Sequence, residues 1–243
     1  MTIKQAMVLA AGLGTRMRPI TDTIPKPLVG IAGRPMIDYV IDLLVAAGVE
    51  TIAINVHHHP DQMVAHLQSR DDVNILISDE RAELMNSGGG LAKGLKLLEP
   101  GPVIVMNADL FWIGEPPGEP TNLQKLANAF DPEIMDMALL CVDMDRTTGH
   151  NGKKDFNLAD DGHLTRYNDG EPYPVVYAGA IAMDSRLLND APADAFNLNI
   201  YFDHAIARKR LFGLSLTGQW ITVGTPDAIE DAERTIAALA TDK

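Results

Sequence analysis

The sequence predicts an α/β protein, with a mostly parallel mixed sheet, helices on both faces and a small β-rich accessory lobe. Three observations predict it. Short apolar runs alternate with helically periodic segments through the first half of the chain, the β-α-β-α order of a parallel sheet. The texture then changes: residues 144–174 are polar and carry the turn pairs Asp161-Gly162 and Asp169-Gly170, which read as hairpins. The 243 residues show no internal repeat or low-complexity linker, so residues 1–243 are expected to form one domain, with 144–180 supplying much of the lobe.

Residues 5–10 form the first expected strand. Their apolar run is short and meets Gly and Arg, so a buried strand is expected rather than a signal peptide. Residues 35–47 read as a helix. Proline stands at its start, Ile37, Val40, Ile41 and Leu44 share a face, and Gly48 lies just past its end. The pattern continues with a strand at 51–56, a helix at 60–68, a strand at 73–77, a helix at 90–98 and a strand at 102–107. Residues 114–120, rich in Gly and Pro, make a surface loop. A helix at 123–130 and a strand at 137–143 precede the polar stretch. A strand at 175–183, a helix at 199–209, one or two strands within 214–223 and a closing helix at 226–240 follow it.

Composition narrows the function. Hydrophobic residues make up 46% and charged residues 22%, as in an ordinary soluble protein. No stretch approaches the ~20 apolar residues of a membrane span. The net charge is −13, and no Lys/Arg cluster offers the basic face that a nucleic-acid binder needs. Small anionic substrates remain possible if local donors overcome the overall field. Cys141 is the single cysteine, so no disulfide forms within the chain. That fits a reducing, cytoplasmic compartment, and its apolar setting suggests a buried structural thiol.

The chemistry concentrates after the first strand. Ala11-Gly12-Leu13-Gly14-Thr15-Arg16-Met17-Arg18 follows a strand's carboxyl end, where open parallel sheets bind ligands. Small residues let the backbone approach phosphate oxygens, and arginine suits bidentate phosphate contacts. The dinucleotide fingerprint fails at Met17, and no Gly-Lys-Ser/Thr follows for a Walker loop. A tight turn with two surface arginines is the competing reading. Pro25-Lys26-Pro27 weighs against it, because two prolines fix the backbone and hold one lysine in a set direction.

The combined pattern, Gly-x-Gly-Thr-Arg followed by Pro-Lys-Pro-Leu, resembles the signature of the sugar-1-phosphate nucleotidyltransferases. The resemblance implies the Rossmann-like fold of the nucleotide-diphospho-sugar transferases. It implies that Ala11, Gly12, Gly14, Thr15, Arg16 and Lys26 bind a nucleoside triphosphate. Arg16 would steady the phosphates that leave as pyrophosphate, and Lys26 would contact phosphate at the reacting centre.

Residues 103–109 form an apolar strand ending in Asp109. A carboxylate there can hold Mg²⁺ beside triphosphate oxygens, and a turn or N-cap aspartate is the other reading. The resemblance favours the metal. It also leads to the expectation of a second aspartate in a Trp-x-Asp-x-Gly-Thr strand, where this chain reads Trp220-Ile221-Thr222-Val223-Gly224-Thr225. Thr222 is a poor, neutral ligand, so Asp109, the phosphates and water are left to hold the ion. Ser87, Gly88 and Gly89 resemble the family's base-recognition loop. Lys93, one turn on, suits either a phosphate or solvent.

The segment His150-Asn-Gly-Lys-Lys-Asp155-Phe-Asn-Leu158 resembles that of the N-acetylmuramate-1-phosphate uridylyltransferases, a branch used in peptidoglycan sugar recycling. Tyr177-Ala-Gly-Ala-Ile181 is similar to the same branch. On this resemblance Asn107, Asp155 and Gly179 bind the sugar phosphate, and UTP is the expected donor. A polar hairpin with a capping aspartate is the alternative for 150–158. His57-His58-His59 cannot all face one ion from an extended segment, and a strand-to-helix turn is expected there. Asp227, Glu230, Asp231 and Glu233 read as a solvated helix face.

The implied reaction is attack by a sugar-1-phosphate oxygen on the α-phosphate of the triphosphate, with release of pyrophosphate. The nucleophile is already anionic, so no general base is needed. Competing readings are a guanylyl-, thymidylyl- or cytidylyltransferase for another sugar or choline phosphate, and a catalytically weak nucleotide-sugar-binding regulator. A pure interaction module leaves residues 9–28 without a purpose. The oligomeric state has no sequence signal.

Overall fold

A computed structural model describes residues 2–241. Strand β1 (Gln5–Leu9) leads into three short 3-10 turns and a small hairpin, β2 (Gly30–Ile31) and β3 (Arg34–Pro35). Helix α1 (Met36–Ala46) buries Ile37, Val40, Ile41 and Leu44, the one-sided stripe read from the sequence. The main alternation continues through β4 (Thr51–Val56), α2 (Pro60–Leu67), β5 (Asn74–Asp79), α3 (Asn86–Leu95) and β6 (Pro102–Asn107). Next come β7 (Leu110–Ile113), α4 (Asn122–Ala129) and β8 (Met137–Val142). A capping box between Thr121 and Gln124 starts α4. The polar stretch holds β9 (Thr147–Thr148), β10 (Phe156–Leu158) and β11 (Leu164–Arg166). The chain closes with β12 (Pro174–Asp184), α5 (Asn199–Ala207), β13 (Leu211–Ser215), β14 (Gln219–Thr222) and α6 (Asp227–Thr241).

The central sheet runs β13-β8-β12-β6-β1-β4-β5, and β12 alone is antiparallel to its neighbours. Alternation sorts its side chains to two cores. Ala6, Val8, Ile104 and Met106 face the side covered by α1, α2 and α4. Met7, Val103 and Val105 face the side covered by α3 and α5. The amino-terminal end of β12 extends beyond the central sheet and pairs with β10, which pairs with β11. This is the β-rich lobe expected over 144–180, with Asp161-Gly162 at the hairpin turn. A second small sheet, β7-β14-β9, packs against α6 through Phe111, Ile221 and Ala232.

Three elements differ from the sequence reading. The helix expected at 90–98 begins at Asn86, because its glycines let it lie flat on the sheet. A Cβ at Gly90 would sit 2.7 Å from Asn55 Nδ2 and from Glu80 Oε1, and one at Gly94 would strike Met7. The 214–223 stretch belongs to two strands in different sheets. Strand β7 has no counterpart in the sequence reading. Among the described residues, no helix is long and apolar enough to cross a membrane.

Candidate active site

Strands β1, β4 and β6 end at one side of the sheet, and a cavity of about 520 Å³ opens there. Ala11, Gly12, Lys26, Ser87, Asn107 and Asp109, residues assigned from the sequence to nucleotide, sugar phosphate or metal, all line it. Its floor is tied together by two residues that reading missed. Asn55 is 3% exposed and Glu80 fully buried. Asn55 Oδ1 accepts the Ala10 N–H at 2.6 Å, and Asn55 Nδ2 donates to Glu80 Oε1 at 2.7 Å. Glu80 Oε2 accepts the Met85 N–H at 3.1 Å. Three chain segments around the cavity thus share one buried network, in which each polar group has a partner. The available signal was an asparagine in the apolar strand Ile52-Ala-Ile-Asn55-Val56.

Lys26 sits as its flanking prolines predict. Pro25 is extended, Pro27 is buried, and a 3-10 turn over Lys26–Leu28 carries the lysine inward. Lys26 is only 8% exposed, and its Nζ donates to Asp109 Oδ2 at 2.7 Å. A buried ammonium needs such a counter-charge. The Asp109 side chain stays 39% exposed toward the cavity. Its backbone carbonyl accepts the Val223 N–H at 3.2 Å and the Thr222 hydroxyl at 3.4 Å. Thr222 therefore buttresses Asp109 from behind and lines neither this cavity nor its neighbour.

Other expected residues lie further out. Gly14 takes a left-handed turn, and its carbonyl accepts from Met17 N–H and Thr21 Oγ1. It shapes the loop without lining the cavity. Thr15 and Arg16 are exposed just beyond the cavity rim, with the Arg16 guanidinium beside Gly224. Arg16 forms no ion pair among the described residues.

Gly88 and Gly89 correct the base-loop expectation. Their N–H groups donate to the Phe196 carbonyl at 2.8 and 3.3 Å, and the Phe196 ring lies flush on Gly88. The first orphan amides of α3 are thus already satisfied, and Ser87 alone of the three reaches the cavity. Ser87 Oγ also accepts the Leu198 N–H at 3.0 Å. Lys93 donates to the Asp79 carbonyl, a partner outside the cavity. Of the three histidines, His57 meets the Glu80 carbonyl and His58 the Thr21 carbonyl, while left-handed His59 starts α2.

A second cavity of about 280 Å³ adjoins the first, sharing Leu9, Ser87 and Asn107. Asp155 lines it, with Oδ2 accepting the Tyr177 N–H at 3.0 Å. Lys153, Arg166, Tyr177, Asn197 and Asn199 line it too. Gly179 does not, which corrects the expectation that a sugar lies against it. It holds a positive φ of 76° in an irregular stretch of β12, and a Cβ there would collide with Leu110. From Tyr177 to Ile181 the strand advances four residues while β8 advances two. The neighbouring Ala178 carbonyl accepts Trp220 Nε1–H at 3.0 Å. Burial pushes the Tyr177 phenol well up, with further rises from the Cys141, Asp155 and Asp109 charges. Burial likewise pushes the Cys141 thiol up, as befits a structural cysteine.

Two adjoining cavities at the strand ends, with a Lys-Asp pair in one and polar amides in the other, suit two substrates meeting at a phosphate. Comparison with known proteins agrees. The profile of the Nucleotidyl transferase family matches residues 5–148. The chain belongs to that family. It is a nucleotide-transferring enzyme, and members act on sugar-1-phosphates.

The N-acetylmuramate alpha-1-phosphate uridylyltransferase of Caulobacter vibrioides is 42% identical to it, over 96% of this chain and 97% of that protein. The enzyme of the same name from Neisseria meningitidis serogroup B is 32% identical, over 94% and 96%. The fold is also that of the inositol-1-phosphate CTP transferase from T. maritima, at TM-score 0.75, 16% identity and 97% coverage of both chains. A UDP-glucose pyrophosphorylase bound to UDP-glucose superimposes at TM-score 0.76 and 18% identity, over 99% of this chain and 100% of that one.

Proposed function

We propose that this member of the family transfers uridylate from UTP to N-acetylmuramate-1-phosphate and releases pyrophosphate. The observation that carries the reading is the meeting of the two cavities at Asn107 and Ser87, with the Lys26–Asp109 pair in the larger one. The 42% identical uridylyltransferase from Caulobacter vibrioides supports the choice of donor and acceptor.

The sugar phosphate oxygen forms a new bond to the α-phosphorus, and the bond from that phosphorus to the β-phosphate bridge breaks. Pyrophosphate carries away the electron pair. Both reactants are anions, so the protein's task is to align them and to stabilise charge. Ala11 and Gly12 let phosphate approach the backbone, and Lys26 supplies positive charge at the reacting end. In this reading Arg16, exposed and without an ion pair among the described residues, takes the outgoing phosphates. Asn107 donates to and accepts from the sugar phosphate, and Asp155 accepts from a sugar hydroxyl or amide.

Mg²⁺ belongs to the proposal. Among the described residues, no group of three or more His, Cys, Asp or Glu is placed to hold an ion. A site built from Asp109 and substrate oxygens still fits, because Mg²⁺ beside phosphates commonly takes one or two carboxylates and keeps its waters. When bound there, the ion neutralises charge on the phosphates. The reading extends to peptidoglycan sugar recycling, which the sequence resemblance implies, in a cytoplasm whose reducing character suits the lone Cys141.

Pyrophosphate release is the test. The purified protein should release it from UTP only when N-acetylmuramate-1-phosphate and Mg²⁺ are both present, and UTP should outcompete the other triphosphates. A panel of sugar phosphates and all four triphosphates that yields none would overturn the reading.

A further inference from the structure

Two cations line the smaller cavity: Lys153, without an ion pair among the described residues, and Arg166, which is paired with Asp203 but keeps an open donor edge. The chain carries 33 acidic and 20 basic residues, so acidic partners are plentiful. Lys153 lines the cavity, yet its ammonium forms no ion pair among the described residues. Only its backbone is engaged, with N–H donating to Asn151 Oδ1 and the carbonyl meeting His150 Nε2. Arg166 is half used. Its Nε donates to Asp203 Oδ1 at 2.9 Å and its Nη2 to Asn199 Oδ1 at 3.0 Å. The guanidinium stands 4.9 Å from the Phe156 ring centre and 5.8 Å from that of Phe202. Two aromatic faces and two acceptors thus fix its plane, while Nη1 has no acceptor among the described residues.

The hairpin brings the two together. Arg166 pairs across from Phe156, and Lys153 lies three residues before Phe156 on the entering loop. Asp155 and the amides of Asn107 and Asn199 line the same cavity. Sugar hydroxyls and an acetamido group are neutral, and the aspartate and amides suit them. The sugar's phosphate is directed to the other cavity, where Lys26 waits. A neutral ring does not reward an unpaired Lys153 ammonium and an open Nη1 edge on Arg166. A carboxylate on the ring does.

We propose that Lys153 and Arg166 bind the lactyl carboxylate that N-acetylmuramate-1-phosphate carries and N-acetylglucosamine-1-phosphate lacks, and so set the enzyme's choice between them. The inference rests on the proposed function above. Arg166 presents its remaining N–H groups in a fixed plane, and Lys153 adds an exposed charge from the loop. Because Arg166 also ties the hairpin to Asp203 and Asn199 while the Lys153 side chain ties nothing among the described residues, Lys153 is the residue whose removal reads specificity without disturbing the hairpin.

The experiment compares kcat and KM for the two sugar phosphates in wild type, Lys153→Met and Lys153→Arg, at saturating UTP. Lys153→Met should lower the preference for the muramate substrate at least about tenfold, with the loss in KM rather than kcat. Lys153→Arg should restore most of it. Added salt should narrow the preference of wild type and leave that of Lys153→Met nearly flat. If Lys153→Met keeps the wild-type preference, the carboxylate assignment is overturned while the enzyme's function stands. If wild type turns over N-acetylglucosamine-1-phosphate but not the muramate compound, the substrate reading falls and this assignment falls with it.

Discussion

Lys26 and Arg16 belong to one motif but occupy different surroundings. Lys26 is buried against Asp109, whereas Arg16 lies exposed beyond the cavity rim. Both are proposed to meet phosphate, so Lys26→Met and Arg16→Ala should each lower turnover by more than about 100-fold in a pyrophosphate-release assay. A near-normal rate for either would remove that residue from the reaction. The residues legible in the sequence share a property. Ala11, Gly12, Lys26, Asn107 and Asp109 sit at strand ends or beside prolines, where local spacing dictates placement. Those misread depend on distant chain. Gly88 and Gly89 meet Phe196, and Gly179 meets Leu110, and no local pattern announces either contact.

At the scale of elements, helix and strand patterns were readable because each buries one face. The stripe on α1 and the alternation in β1 and β6 are visible in the residue order. The start of α3 was not, since its glycines look like a loop until Met7, Asn55 and Glu80 are placed beneath them. Strand β7 escaped because it follows β6 after only Ala108 and Asp109 and turns into another sheet. The Asn55–Glu80 network joins β4 to the segments before and after it, and it sets the floor of the larger cavity. Asn55→Ala should leave the Ala10 N–H and Glu80 Oε1 without partners in buried space. A loss of about 2–4 kcal/mol is expected, to be measured by urea unfolding with activity followed in parallel. A change below about 0.5 kcal/mol would show that the network contributes little to stability.

For the molecule as a whole, buried Cys141 and partly buried Tyr177 make stability fall at alkaline pH. The ordinary value is 9.0 for the Cys141 thiol and 10.0 for the Tyr177 phenol, and burial raises both in the folded chain. Above pH 9 the unfolded chain loses the thiol proton while the folded chain keeps it. The unfolded state then binds fewer protons, so stability falls as pH rises, by up to about 1.4 kcal/mol per pH unit for each group. Cys141→Ala should delay the onset of that fall toward pH 10 in unfolding curves measured from pH 8 to 11. An identical slope in the variant would remove Cys141 as its source. The fold class was legible at this scale because the β-α alternation and the polar 144–174 stretch are global patterns. The antiparallel course of β12 was not, since strand direction depends on partners far along the chain. That strand has a mechanical consequence. One continuous 11-residue segment is laddered to β6 and β8 at one end and to β10 at the other. The lobe is therefore a cantilever rooted in the central sheet, and the spacing between the smaller cavity, which it helps to line, and the larger one is built into the backbone of one strand.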